Sequence, residues 1–131
     1  MYGQHIDIAG PFAAALEKVT AALKAQGFGV LSDIDIQAAM KEKLGVAMRP
    51  YRILGACNPP LAHRALQAEP DIGLLLPCNV TLQEQQDGRV RVGFLEPALI
   101  AQLTSAPGIG EVATEAAERL QRARETLAQA G

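Results

Sequence analysis

The sequence has few aromatic residues and few cysteines. Its 131 residues include no tryptophan, two tyrosines and three phenylalanines, so a core has to be built mainly from Ala, Val, Ile and Leu. Two cysteines are too few for the disulfide framework of a small secreted module, and a chain of this length buries enough surface to fold without one. The N-terminus also lacks the basic and apolar regions of a signal peptide. These absences predict a single domain over residues 1–131 in the reducing cytoplasm.

Neither sign of charge is in large excess. Twelve Lys and Arg stand against 14 Asp and Glu, and the formal net charge is -2. A surface this close to neutral argues against a nucleic acid or an anionic membrane as partner. No apolar run approaches the ~18 residues that a membrane-spanning helix needs. We therefore expect no nucleic-acid partner and no membrane partner.

The hydrophobic periodicity predicts helices and strands along the whole chain. A strand comes first, and helices and strands then alternate up to a hairpin at Asp87-Gly88. The predicted helices cover residues 11–26, 35–44, 59–69, 97–103 and 109–127. After the first strand, the predicted strands cover residues 28–34, 51–57, 72–82 and 90–94. The order β-α-β-α-β-α-β-β-α-α is typical of an α+β, two-layer domain with a mainly antiparallel sheet covered by helices on one face.

A strip of leucines on the predicted strands suggests self-association. Leu54, Leu75 and Leu95 share the parity that we expect the helices not to reach. An exposed apolar strip on the uncovered face favours a homodimer, because closed pairs are the commonest assembly.

Two Cys-Asn pairs are the candidate site. Cys57 precedes a predicted helix N-terminus, where unpaired N–H groups and the helix dipole favour a thiolate. Asn58 and Asn79 each follow a cysteine and can present an amide to a bound group. The two pairs meet only if the strand ending near Cys57 and the strand through Cys78 are neighbours, which a strand-helix-strand unit permits.

Three interpretations of these cysteines are open. Cys57 and Cys78 can hold zinc or copper if His63 or Met48 adds a ligand. Alternatively, Cys57 can act as a nucleophile or redox thiol, with Cys78 as resolving partner and His63 as base. In the third interpretation both cysteines are packing residues, since Cys78 is in phase with apolar neighbours.

Three arginines surround the first cysteine in the sequence. Arg49, Arg52 and Arg64 can form an anion-binding patch near the Cys57 loop, although their mixed parity suits solvated positions equally well.

Several segments of the sequence resemble one prokaryotic family. The segments are Lys43-Leu44-Gly45, residues 49–60, Glu69-Pro70 and residues 72–80. Together they are similar to DUF302, a domain of unknown function. The resemblance implies a small α+β domain of TATA-binding-protein-like architecture, usually homodimeric, with no established activity. That architecture does not itself imply DNA binding.

The two cysteine motifs of the chain match the family pattern, and two other candidates do not. Cys57-Asn58-Pro59 and Pro77-Cys78-Asn79 correspond residue by residue, whereas His63 and Met48 lie outside the pattern.

The sequence thus predicts a homodimeric module that binds or senses a small molecule, a thiol partner or a metal, with no cofactor specified. The alternatives are a thiol-dependent redox or transfer enzyme using Cys57 and a structural interaction protein with packed cysteines. The predicted site consists of Cys57, Asn58, Pro59, Cys78 and Asn79, with His63 and Arg52 as possible support.

Overall fold

The computed structural model describes residues 2–130, and the side chains of residues 2–129. It confirms the predicted α+β class. The chain forms β1 Gly3–Ile8, α1 Phe12–Ala25, β2 Gly29–Asp35, α2 Ile36–Leu44, β3 Tyr51–Cys57, α3 Pro59–Ala68, a 3₁₀ helix Pro70–Leu75, β4 Cys78–Glu84, β5 Val90–Leu95, α4 Ala98–Gln102 and α5 Ile109–Ala130.

The five strands form one antiparallel sheet in the order β1-β5-β4-β3-β2. The predicted hairpin joins β4 to β5, and Gly88 in its turn has a φ of +87°, a conformation that L side chains rarely adopt. Strand β2 is one edge of the sheet, and its pairing with β3 shifts register between Val30 and Ser32.

The long helices α1 and α5 pack against each other and against one face of the sheet. Their alternation of small and large apolar residues fills the main core without tryptophan, as the composition requires. The buried set includes Ala15, Val19 and Leu23 of α1, Leu120, Ala123 and Leu127 of α5, and Val80, Leu82, Val90, Val92 and Phe94 of the sheet. In the part of the chain that is described, no helix is both long and apolar enough to cross a membrane.

The predicted leucine strip is absent. Leu54 is 1% exposed because α1 and α5 cover its face of β3, and strand parity alone cannot tell which face helices will cover. Leu75 belongs to the 3₁₀ helix, and half-buried Leu95 packs against a second apolar cluster. The expectation of a homodimer therefore loses the residues on which it rested.

The predicted strand over 72–82 is wrong in its first half. Residues Pro70–Leu75 form a 3₁₀ helix, and β4 begins only at Cys78. Pro70 suits the first position of a helix, and the Glu69 side chain accepts a hydrogen bond from the Asp71 N–H. The apolar side chains at 72, 74 and 76 do not share one buried face, as they would in a strand, because Ile72 is buried and Leu74 is exposed.

A second apolar cluster lies beside the main core. Its buried residues come from α3, the 3₁₀ helix, α4 and the start of α5, and they are Ala65, Ile72, Ile100 and Ile109. This cluster forms one side of the candidate site.

Candidate functional site

A cavity of about 300 Å³ lies between the end of the sheet, α3, the 3₁₀ helix, α4 and α5. We call it the thiol cavity, because Cys57 and Cys78 both line it together with Asn58. Apolar side chains make up most of its remaining wall, among them Leu61, Ala65, Ile72, Leu76, Ile100, Val112, Ala113 and Ala116.

The sheet brings the two cysteines to the same place. Strands β3 and β4 are neighbours, and Ala56 pairs with Cys78. Cys57 ends β3 and Cys78 begins β4, so both lie at one end of the sheet. The adjacency that the two Cys-Asn pairs needed is therefore present.

The two thiols have different surroundings. Cys78 is buried and Cys57 is half-buried. Burial raises the pKa of the Cys78 thiol to about 11, and the nearby charge of a Cys57 thiolate adds to the rise. At neutral pH Cys78 is therefore a protonated thiol.

Asn58 is buried and caps α3. Its Oδ1 accepts a hydrogen bond from the Leu61 N–H at 3.2 Å, and its backbone oxygen accepts one from the Ala62 N–H at 2.9 Å. Pro59 and Pro60, the first two residues of the helix, have no N–H. The N–H groups of Leu61 and Ala62 are therefore already bonded to Asn58, and the first two helical residues have none to offer a bound anion.

Four predicted site residues lie away from the thiol cavity. Asn79 is exposed between buried Cys78 and Val80, so its side chain is on the opposite face of the sheet. Pro59 and His63 are exposed on α3, and neither lines the cavity. Arg52 also lies outside it, and its guanidinium forms ion pairs with two carboxylates of β2, those of Asp33 at 2.7 Å and Asp35 at 3.6 Å.

The structure does not assemble the predicted metal ligands or the arginine patch. Met48 does not line the cavity, and its backbone oxygen accepts a hydrogen bond from the Gln37 side chain. Across residues 2–129, no group of three or more His, Cys, Asp or Glu side chains is placed to hold a metal ion. Arg64 forms an ion pair with Glu115 of α5. The thiol cavity thus offers two sulfur ligands, too few for a closed zinc site.

Sequence reasoning missed the contributions of β2 and α5 to the cavity. Leu31 of β2 lines the cavity. It lies between Val30 and Ser32, where the pairing of β2 with β3 shifts register, and a bulge of this kind redirects a side chain. Ala113 and Ala116 line the cavity from α5, more than fifty residues along the chain from Cys57. The one local signal was the small size of these alanines, which leave space where larger side chains would close it.

Comparisons with known proteins give a consistent result. The model of the family described as "Domain of unknown function DUF302" matches residues 4–127. A solved structure, that of an uncharacterized conserved protein DUF302 from Bacillus stearothermophilus, is similar to this chain at 26% identity with a TM-score of 0.87. The similarity covers 97% of this chain and 98% of that one. Among curated proteins, none matches the sequence.

Proposed function

This chain belongs to the DUF302 family, and from the geometry of its thiol cavity we propose that it is a binding module for a small, neutral, apolar molecule. The observation that carries the proposal is the apolar cavity of about 300 Å³. Pockets for small molecules have volumes of roughly 300–1,000 Å³ and walls that are mostly apolar. The ligand is therefore a compact molecule that fits near the lower limit of that range.

The wall of the cavity favours a ligand without charge. Its described lining residues include no Lys, Arg, His, Asp or Glu. The N–H groups of Leu61 and Ala62 are already bonded to Asn58, and Cys78 is protonated at neutral pH. Moving a charged group from water into such a site is unfavourable, because the lining offers no opposite charge to offset the lost hydration.

The thiols serve such a ligand as contact surface. A cysteine sulfur is polarisable and behaves as a small apolar group in packing. A thiol-dependent reaction is the second candidate, because both cysteines line one cavity. It is less well supported, since His63 does not line the cavity to act as base, and the N–H groups of Leu61 and Ala62 are already bonded to Asn58.

Two dyes that differ by one sulfonate test the proposal. N-phenylnaphthylamine is neutral, and anilinonaphthalene sulfonate is its anionic analogue; both fluoresce more strongly in apolar surroundings. The chain has no tryptophan, so its own emission does not interfere. We expect the neutral dye to bind at least about tenfold more tightly than the anionic dye. Equal or reversed affinities would contradict a neutral cavity.

A pair of substitutions on α3 locates the bound dye. Ala65 is buried and lines the cavity, whereas Ala68, in the last turn of the same helix, is exposed. Ala65→Leu fills space and should weaken binding of the neutral dye roughly tenfold or more, a loss of about 1.4 kcal/mol. Ala68→Leu should leave binding unchanged. If Ala65→Leu unfolds the chain in a circular dichroism check, Ala113→Leu fills the cavity from α5 instead. Undiminished binding in a folded filled variant places the dye elsewhere and refutes the proposal.

A further inference from the structure

Asn58 brings a side-chain amide to the wall of the thiol cavity. The other described side chains of the wall are apolar or carry a thiol. Asn58 is only 8% exposed, so its amide lies inside the protein rather than on its surface. A buried polar atom normally has a hydrogen-bond partner. The partners of Oδ1 and Nδ2 therefore decide what this amide can still bind.

The two polar atoms of the amide differ in their partners. Oδ1 accepts the hydrogen bond from the Leu61 N–H at the start of α3. Among residues 2–129, no acceptor takes a hydrogen bond from Nδ2. In the same residues no fully buried side-chain nitrogen or oxygen lacks a partner, so Nδ2 still reaches open space. Since Asn58 lines the thiol cavity, its two N–H groups are available to a molecule bound there.

The amide is held in position from both sides. The bond from the Leu61 N–H fixes Oδ1, and Gly27, between α1 and β2, leaves room for Nδ2. A Cβ at Gly27 would lie 2.9 Å from this nitrogen. A donor that is already held in place loses little freedom when a ligand binds, which favours affinity.

We propose that the ligand of the thiol cavity is a small apolar carbonyl compound, and that Asn58 recognises it by donating a hydrogen bond from Nδ2 to the carbonyl oxygen. This inference rests on the proposed binding function and adds the chemical class of the ligand. Pockets for small molecules combine apolar walls with a few polar groups that fix orientation and provide specificity. In the thiol cavity the Asn58 amide is that polar group.

The wall favours a ligand that accepts a hydrogen bond but donates none. An alcohol or a primary amide would bring an O–H or N–H group that needs an acceptor of its own. The only side-chain oxygen among the described lining residues is Asn58 Oδ1, and it is already bonded to the Leu61 N–H. A ketone or an ester brings an acceptor alone, and the rest of such a molecule suits the apolar wall.

Two probes of nearly equal shape, acetophenone and α-methylstyrene, test this recognition. A CH₂ group in α-methylstyrene replaces the carbonyl oxygen of acetophenone. Asn58→Ser removes the amide but keeps a side-chain oxygen that can cap α3. It should weaken acetophenone binding roughly three- to tenfold, the effect of one hydrogen bond, and should weaken α-methylstyrene binding much less. NMR titrations give the dissociation constants.

Asn79→Ser is the matched control for this substitution. Asn79 is exposed and does not line the cavity, so the same replacement there should change the affinity for neither probe.

The side-chain resonances of asparagine report the hydrogen bond in the wild-type chain, even if Asn58→Ser unfolds it. Asn58 and Asn79 are the only asparagines of the sequence, so labelling asparagine with ¹⁵N gives two side-chain NH₂ groups, and Asn79→Ser assigns them. Acetophenone should move an Asn58 NH₂ proton further downfield than α-methylstyrene does. Both probes carry the same ring, so the difference between them reports the carbonyl oxygen.

The failure of this inference differs from the failure of the proposed function. If neither probe binds the wild type, the cavity does not take up small apolar molecules, and both proposals are wrong. If both probes bind and Asn58→Ser weakens them equally, or the Asn58 NH₂ protons respond equally to both, the cavity binds apolar molecules without recognising a carbonyl group. That result overturns only the role of Asn58 and the class of the ligand.

Discussion

Cys78 shows how one buried side chain links the cavity to stability. Its thiol lies at the start of β4, and burial there, assisted by the nearby charge of a Cys57 thiolate, raises its pKa from 9.0 to about 11. The folded state therefore retains the proton over a pH range in which the unfolded state releases it. Stability must depend on pH in that range, because protons and folding are coupled.

We predict that the chain loses stability as the pH rises from 9 towards 11 in a way that requires Cys78. Below pH 9 both states hold the thiol proton, so the full stabilisation is present. Above it the unfolded state deprotonates first, and the free energy of unfolding should fall by up to about 2–3 kcal/mol by pH 11. Urea unfolding at a series of pH values measures the change.

Cys78→Ala is the control for this pH dependence. All other groups that ionise at high pH are common to both proteins, so the difference between wild type and variant isolates the Cys78 thiol. The wild-type curve should be steeper above pH 9. Parallel curves would show that Cys78 is not held in its neutral form by the fold.

The N-terminus of α3 shows what residue types alone could not tell. Placing a helix after Cys57 was correct, and so was Asn58 as its cap. The expected supply of unpaired N–H groups is reduced there, because the side chain and the carbonyl of Asn58 bind the N–H groups of Leu61 and Ala62, and the two prolines have none. Those residues are all present in the sequence, but only hydrogen-bond geometry shows that Asn58 binds the N–H groups of Leu61 and Ala62.

At the level of elements, β3 depends on a glycine at its centre. A Cβ on Gly55 would overlap Ser32 Oγ from β2 and would lie 2.7 Å from Pro77 Cγ. Ser32 and Pro77 lie on the face of β3 that α1 and α5 do not cover, and neither contact atom is the free end of a long, flexible side chain. Gly55 therefore lets β2 and the segment before β4 approach β3 closely, next to the two cysteines.

We predict that Gly55→Ala destabilises the fold by about 1–3 kcal/mol, the usual cost of forcing atoms into a packed site. Gly29→Ala is the comparison, because Gly29 lies in β2 with nothing within 4 Å of its Cβ position. It should be neutral or slightly stabilising, since alanine restricts the unfolded chain. Urea unfolding of both variants gives the two values. If Gly55→Ala is as stable as the wild type, β3 has more room than its neighbours indicate.

The elements also show where sequence periodicity stops being informative. Strand β3 and helix α1 were predicted nearly to the residue, because their apolar spacing, Pro11 and Gly27 are local signals. The 3₁₀ helix was predicted as strand, because periodicity cannot tell a strand from a helical segment in a short apolar run such as residues 72–76. The cavity itself depends on α5 and β2 meeting α3, and no local pattern reports such distant contacts.

For the whole molecule, ligand binding and folding are coupled. The walls of the thiol cavity come from β3, α3, the 3₁₀ helix and α5, so the cavity exists only when these elements are packed together. A ligand that binds the folded state and not the unfolded state shifts the equilibrium towards the folded state by mass action.

We therefore predict that N-phenylnaphthylamine stabilises the folded chain. When the free dye is at about nine times its own dissociation constant, the free energy of unfolding should rise by about 1.4 kcal/mol. Urea unfolding with increasing dye measures the rise, and Ala65→Leu, whose cavity is filled, should show little response. If the dye stabilises the wild type and Ala65→Leu equally, it binds outside the thiol cavity.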